Sequence, residues 1–150
     1  MKKSIATEAG FLLSYALETL NLKKVLHPFY TTIFNGEKRI QEFKDLSYEK
    51  SIPKTIDAFH ANSSDADAGI AIYPAEIEQE GKRTALIVIM VKEYNSDWYL
   101  TIGQHYEKRE DMHIPTLYEL LDFSFFLSEE LRELESSFLQ GIEAYNTVQA

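Results

Sequence analysis

The stretch TALIVIMVKEYNSDWYLTIGQHYEK, residues 84–108, decides the architecture. Every position from Ala85 to Val91 is apolar. A run of this kind reads as a strand covered on both faces. Asn95–Ser96–Asp97 is a turn cluster. Beyond it the chain alternates. Trp98, Leu100, Ile102 and Tyr106 fall on one side, and Tyr99, Thr101, Gly103 and His105 on the other. The two runs therefore predict an antiparallel hairpin, with Leu86 to Met90 as a central strand that is dry above and below.

Upstream, AGIAIYPAEIEQ (68–79) predicts a further strand, joined to the first run through Glu80–Gly81. Ile70 and Ile72 share one side, but beyond Pro74 the next apolar residue, Ile77, has the other parity. That slip implies either a bulge at Pro74–Ala75 or an edge position, because proline donates nothing to a ladder. Loops this short make neighbouring strands antiparallel. The three strands are a meander, and a second layer, a partner or a ligand must cover its faces.

Helices supply that layer. Ile5, Ala9, Leu12, Leu13, Ala16, Leu17 and Leu20 recur at helical spacing, predicting a helix over 4–22 with Ser4 as cap. Phe11 and Tyr15 widen its apolar face. A second helix is expected over 37–46, with Ile40 and Phe43 inward. A third short one is capped by Ser51, carries Pro53 in its first turn, and turns Ile56 and Phe59 inward. Residues 29–34 lie between a strand and a helical turn. Thr116 and Glu119 match a capping box ahead of Leu117, Leu120, Leu121 and Phe125, so helix is expected there too. From Ser128, a stripe of Leu131, Leu134, Phe138, Ile142 and Tyr145, preceded by Leu127, lies opposite Glu129, Glu130, Glu133, Glu135 and Glu143. The expected fold is one α+β domain over 1–150. It is a three-stranded antiparallel meander, four-stranded if 29–34 joins it, packed against N- and C-terminal helices.

At 150 residues and 45% hydrophobic content the chain suits one packed core. It has no cysteine, which excludes disulfides, thiolate nucleophiles and cysteine-ligated metals. Glu8 and Glu18 bracket the longest uncharged N-terminal run, so this segment reads as an amphipathic helix rather than a signal peptide. A cytoplasmic protein is expected.

The net charge is −9 and unevenly spread. Residues 1–61 carry nine bases and seven acids (+2), and residues 62–150 six bases and seventeen acids (−11). Binding to nucleic acid needs lysines and arginines that neutralise phosphates, so the acidic half argues against it, and equally against an anionic membrane. A protein with a basic surface is the partner this charge admits.

Motifs for chemistry are sparse. Asp65–Ala66–Asp67 spaces two carboxylates as a hard cation would take them, but Ile70 stands where a calcium loop needs glycine, and no metal is assigned. The four histidines make no metal-ligand spacing. His105, His113 and Asp111 would form an acid–base set only if they met at one sheet end. There is no nucleophile elbow and no phosphate-cradling glycine loop, so no catalytic residue and no cofactor are assigned. The leading expectation is a non-catalytic binding module: an adaptor, chaperone or antidote-type inhibitor of a basic partner, engaged through Glu129, Glu130, Glu133 and Glu135. The alternative is a small-molecule pocket between sheet and helices, with or without hydrolytic chemistry, lined by Tyr73, Trp98, His105 and Tyr106. A monomer or homodimer is expected.

Overall fold

A computed structural model describes residues 2–44, 47–124 and 128–149. The elements run α1 (Lys2–Lys23), β1 (Phe29–Phe34), β2 (Glu37–Glu42), α2 (Tyr48–Ala61), β3 (Ala68–Gln79), β4 (Lys82–Glu93), β5 (Tyr99–Arg109), β6 (Met112–Phe123) and α3 (Ser128–Gln149). The fold is α+β. The strands form one antiparallel sheet in the order β2-β1-β3-β4-β5-β6. The predicted meander is its centre, and three more strands extend it to six.

β4 sits where its composition requires. Leu86, Ile87, Val88 and Ile89 are all buried, and only Met90 is partly exposed. Ile87, Ile89 and Val91 point to the face covered by α1, together with Ile70, Ile72, Leu100 and Ile102. α2 covers the β1 and β3 end of the opposite face, where Phe59 packs against Tyr30 and Ala71. At the β5 end of that face Leu86 is covered by Leu121, the two side chains meeting over Gly103.

α1 and α3 run parallel on the same side of the sheet. Lys2 and Lys3 pair with Glu130 and Glu133 at one end, and the Glu18 carboxylate accepts from the Tyr145 hydroxyl at the other. Between them the backbones nearly touch at two glycines. A Cβ at Gly10 would lie 1.9 Å from the Phe138 carbonyl oxygen, and one at Gly141 1.8 Å from that of Thr7. Glycine inside a helix costs about 1 kcal/mol against alanine. Here that cost admits a crossing no larger residue permits. The α3 stripe of Leu134 and Phe138 is buried core, as its spacing implied, and Phe138 reaches the sheet at Tyr118.

Several expectations are corrected. Residues 37–42 are a strand, not a helix, because the Asn35–Gly36 turn, both residues at positive φ, folds them back onto β1. Residues 29–34 are a strand, so the central ladder gains β1 as well as β2. α1 starts at Lys2, which puts Ser4 inside its first turn. α2 starts at Tyr48, which makes Ser51 a buried helical residue and Ser47 the cap. Pro74 causes no bulge, since β3 pairs with β4 without a register shift over its whole length. β1 stops pairing at Ile72, so beyond that point one side of β3 is an edge. Residues 112–123 are strand β6, not the start of a helix. The far end of the helix expected over 37–46, Phe125 of the expected capped helix, and Leu127 of the α3 stripe lie outside the described residues.

Candidate functional site

The sheet has two edges, and they differ in kind. β2, EKRIQE, is exposed along its length and mostly charged. Charge on an outer strand is a usual protection against pairing with other chains. β6, MHIPTLYELLDF, is apolar and exposed: Leu117 is 60% exposed, Met112 53% and Phe123 44%. From Glu110 to Leu131 the chain carries six acids and no lysine or arginine. An apolar edge framed by carboxylates is the most distinctive surface among the described residues.

Two register shifts against β5 shape this edge, between Thr101 and Ile102 and between Gln104 and Tyr106. At the second, the Gln104 amide occupies the gap in the ladder. Its Nε2 donates to the backbone oxygens of His105 (2.9 Å) and Leu117 (3.2 Å). Glu119 is held from two sides, by His105 Nε2 at 2.9 Å and by Gln79 Nε2 at 3.5 Å. The bulges send the apolar side chains of β6 to both faces. Leu121 leans over Gly103 on the face away from α1. Leu120 instead joins Leu131, Leu134 and Phe138 in a narrow cleft beside α3, with Glu135 at its wall. The Tyr118 hydroxyl bonds Glu135, and burial, followed by the charge of that carboxylate, pushes the phenol above its ordinary range. At the other end of β6, Met112 and Pro115 join Leu17, Leu22, Ile142 and Tyr145 in a groove of ≈ 530 Å³.

The residues proposed for a ligand pocket divide between the two faces. Tyr73 and His105 lie on the face away from α1, Tyr73 with its hydroxyl 3.8 Å from Met90 Sδ. Trp98 and Tyr106 belong to the core on the α1 side, and the Trp98 Nε1–H donates to Glu93 at 2.9 Å. His105 and His113 also part company. His113 stacks edge-on against Tyr106, bonds Asn21 of α1 through Nδ1 at 3.0 Å, and is held below its usual pKa first by burial and then by Lys24 and Lys108. Asp111 lies in the β5–β6 turn, where its carbonyl accepts from the Lys24 amine. These three do not assemble an acid–base set.

Of the four α3 acids expected to engage a partner, Glu130 pairs with Lys2 at 3.6 Å and Glu133 with Lys3 at 3.5 Å, while Glu135 lines the β6 cleft and Glu129 is exposed. Asp67 pins the loop between α2 and β3 by accepting from the Asn35 amide at 3.0 Å, and Asp65 is exposed at positive φ. No group of three or more histidines and acids among the described residues is placed to hold a metal. No described helix is long and apolar enough to cross a membrane.

Sequence reasoning missed β6 as a surface because it missed β6 as a strand. The available signal was the pair Glu110–Asp111 between two runs of strand length, and in the structure Glu110 takes the positive φ of a two-residue hairpin turn. Comparison with protein-family models, curated proteins and solved structures finds no match.

Proposed function

We propose that this chain is a non-catalytic protein-binding module of the adaptor, chaperone or antidote class. Its β6 edge takes an extended, apolar and basic segment of another protein. The observation that supports this is the asymmetry of the sheet: one edge protected by charge, the other exposing Met112, Leu117, Leu121 and Phe123 beside Glu119 and Asp122. An added strand bonds through its backbone, and its alternate side chains meet the apolar residues. The surrounding carboxylates would speed and orient the encounter with a basic segment more than they would tighten it. Pro115 donates no hydrogen bond, so the paired stretch is expected to run from Thr116 to Asp122.

The test uses two synthetic strands of about six residues, one alternating valine with lysine and one valine with glutamate, titrated into the ¹⁵N-labelled protein. The lysine strand should shift the amides of Thr116 to Asp122 and weaken as salt is raised. Leu117→Asp combined with Leu121→Asp should abolish the effect while leaving the spectrum of β3 and β4 unchanged. Equal binding of both strands, or shifts that avoid β6, would refute the proposal.

A further inference from the structure

A different surface carries an independent inference. On the α2 side of the β1–β2 hairpin, two adjoining grooves of ≈ 360 Å³ and ≈ 230 Å³ share Thr32, Arg39 and Ser64. Together they fall in the size range of small-molecule sites. Thr32 and Arg39 are opposite each other in the ladder, so both rise from one floor. Ser63 and Ser64 stand over them on the loop that follows α2.

That loop is held firmly. Asn62 ends α2 in the left-handed conformation, and its backbone N–H donates to the Ala58 oxygen. Its side chain bonds Ala66 in both directions, accepting from the Ala66 N–H at 2.9 Å and donating to the Ala66 oxygen at 3.2 Å. Asp67 then ties the chain to β1 by donating its N–H to the Ile33 oxygen at 2.9 Å. The two serines are thus fixed opposite Arg39 before any ligand arrives.

The polar groups that converge here have no side-chain partner among the described residues: no side chain bonds the hydroxyls of Thr32, Ser63 or Ser64, and no carboxylate pairs with Arg39. The neighbouring cation of the same strand makes the contrast. Lys38 lines a groove on the other face, but Glu8 neutralises it at 2.8 Å. An unpaired guanidinium is a planar fork of donors that matches a carboxylate or phosphate, and hydroxyls donate to the same oxygens. Apolar walls are present as well: Tyr30 and Ala58 in the first groove, Phe34 and Ala66 in the second, which the Glu37 carboxylate also lines.

We infer that the groove over Thr32, Arg39, Ser63 and Ser64 binds a small organic anion, a phosphate or carboxylate carried on an apolar body. The oxyanion sits on the Arg39 guanidinium under the two serine hydroxyls, and the body lies along Ala58, in the groove that Glu37 does not line.

The full ¹⁵N-labelled protein is titrated with phenyl phosphate, benzoate, inorganic phosphate and uncharged benzyl alcohol. Phenyl phosphate or benzoate should give saturable shifts confined to residues 32, 39, 63 and 64, and the stronger of the two assigns phosphate or carboxylate. Inorganic phosphate should bind more weakly for want of the apolar body, and benzyl alcohol should give no saturable shift. Arg39→Gln should weaken the anion by about tenfold or more, the range of one charged hydrogen bond, and Arg39→Lys should recover part of the loss. Arg39 is exposed, so neither variant threatens the fold. Benzyl alcohol binding as well as the anions, an Arg39→Gln variant that binds like the parent, or no shift at these residues would each overturn the inference. The β6 variants should leave this titration unchanged, so the two sites stand or fall separately.

Discussion

At the scale of single residues, the most demanding positions are glycines that contact backbone. At Gly10 and Gly141 a methyl group would meet carbonyl oxygens at 1.9 and 1.8 Å, and a helix carbonyl cannot turn aside. Gly10→Ala and Gly141→Ala should each cost about 3 kcal/mol or more, at or above the upper end for overpacking, measured by urea unfolding. At Gly103 the obstacles are the flexible ends of Leu86 (2.7 Å) and Leu121 (3.1 Å), so Gly103→Ala should cost only about 1 kcal/mol. A reversed ranking would show that the α1–α3 crossing is looser than described. Nothing in the spacing of apolar residues marked Gly10 or Gly141. A close approach between helices is a property of two segments, and neither segment alone encodes it.

A second residue-scale feature is the tyrosine pair between sheet and α2. Tyr94 donates to the Phe59 carbonyl, and Tyr30 and Tyr94 share a hydrogen bond of 2.8 Å. Burial first, and then Tyr30, push the Tyr94 phenol well above its usual 10.0, and burial raises Tyr30 too. The unfolded chain ionises its tyrosines near pH 10 while the folded one holds these two protonated, so above that pH the unfolded state binds fewer protons. Stability should be fully present below about pH 10 and fall as pH rises beyond it. Tyr94→Phe should flatten that alkaline decline, at a cost near neutrality of about 1 kcal/mol for the lost hydrogen bonds. Urea midpoints of parent and variant at pH 7 and pH 11 decide it. An equal decline in both would place the alkaline sensitivity elsewhere.

At the scale of elements, β4, β5 and α3 were legible, while β2 and β6 were not. A strand in the middle of a sheet must be apolar on both pleats, and a helix under a second layer must keep an apolar stripe. Both requirements are written locally. Edge strands carry weaker demands. Leu117, Leu120 and Leu121 sit three and four apart, and Ile40 and Phe43 three apart, spacings that suit a helix face equally well. In β6 the bulges at Thr101/Ile102 and Gln104/Tyr106 also break the alternation that would have betrayed a strand. The candidate docking edge is hidden for the same reason, since its leucines read as part of a helix behind a capping box. The α2–β3 loop offers an element-scale check. Asn62→Ala removes the left-handed cap residue and both bonds to Ala66, and should cost about 1–2 kcal/mol by urea unfolding. It should also free Ser63 and Ser64 and so weaken any anion held over Arg39. A variant as stable as the parent would remove the claim that this loop is preset.

At the scale of the molecule, the two halves of opposite charge balance are woven into one sheet. β1, from the basic half, pairs with β3 from the acidic half, and α1 lies along α3. The central ladder should therefore open only with the whole. Amides of Ile70, Ile72, Ile87 and Ile89 should exchange at the rate of global unfolding, and those of β2 through local opening, in a native-state hydrogen-exchange series. Faster exchange at Ile87 than in β2 would contradict the layered core. Ion pairs add little to this cohesion. Lys2 and Lys3 are exposed together with Glu130 and Glu133, and pairs of that kind contribute well under about 1 kcal/mol. The sequence by itself determined that the chain has a doubly buried strand with antiparallel neighbours, an apolar first helix, a striped last helix and an acidic second half. Each follows from the side chains of one segment in water. Only the tertiary structure decided that there are six strands, that β2 and β6 are the edges, and that Arg39 faces two serines. Edges, crossings and grooves are relations between segments distant in the chain. The free energy that selects them comes from packing, which no local pattern records.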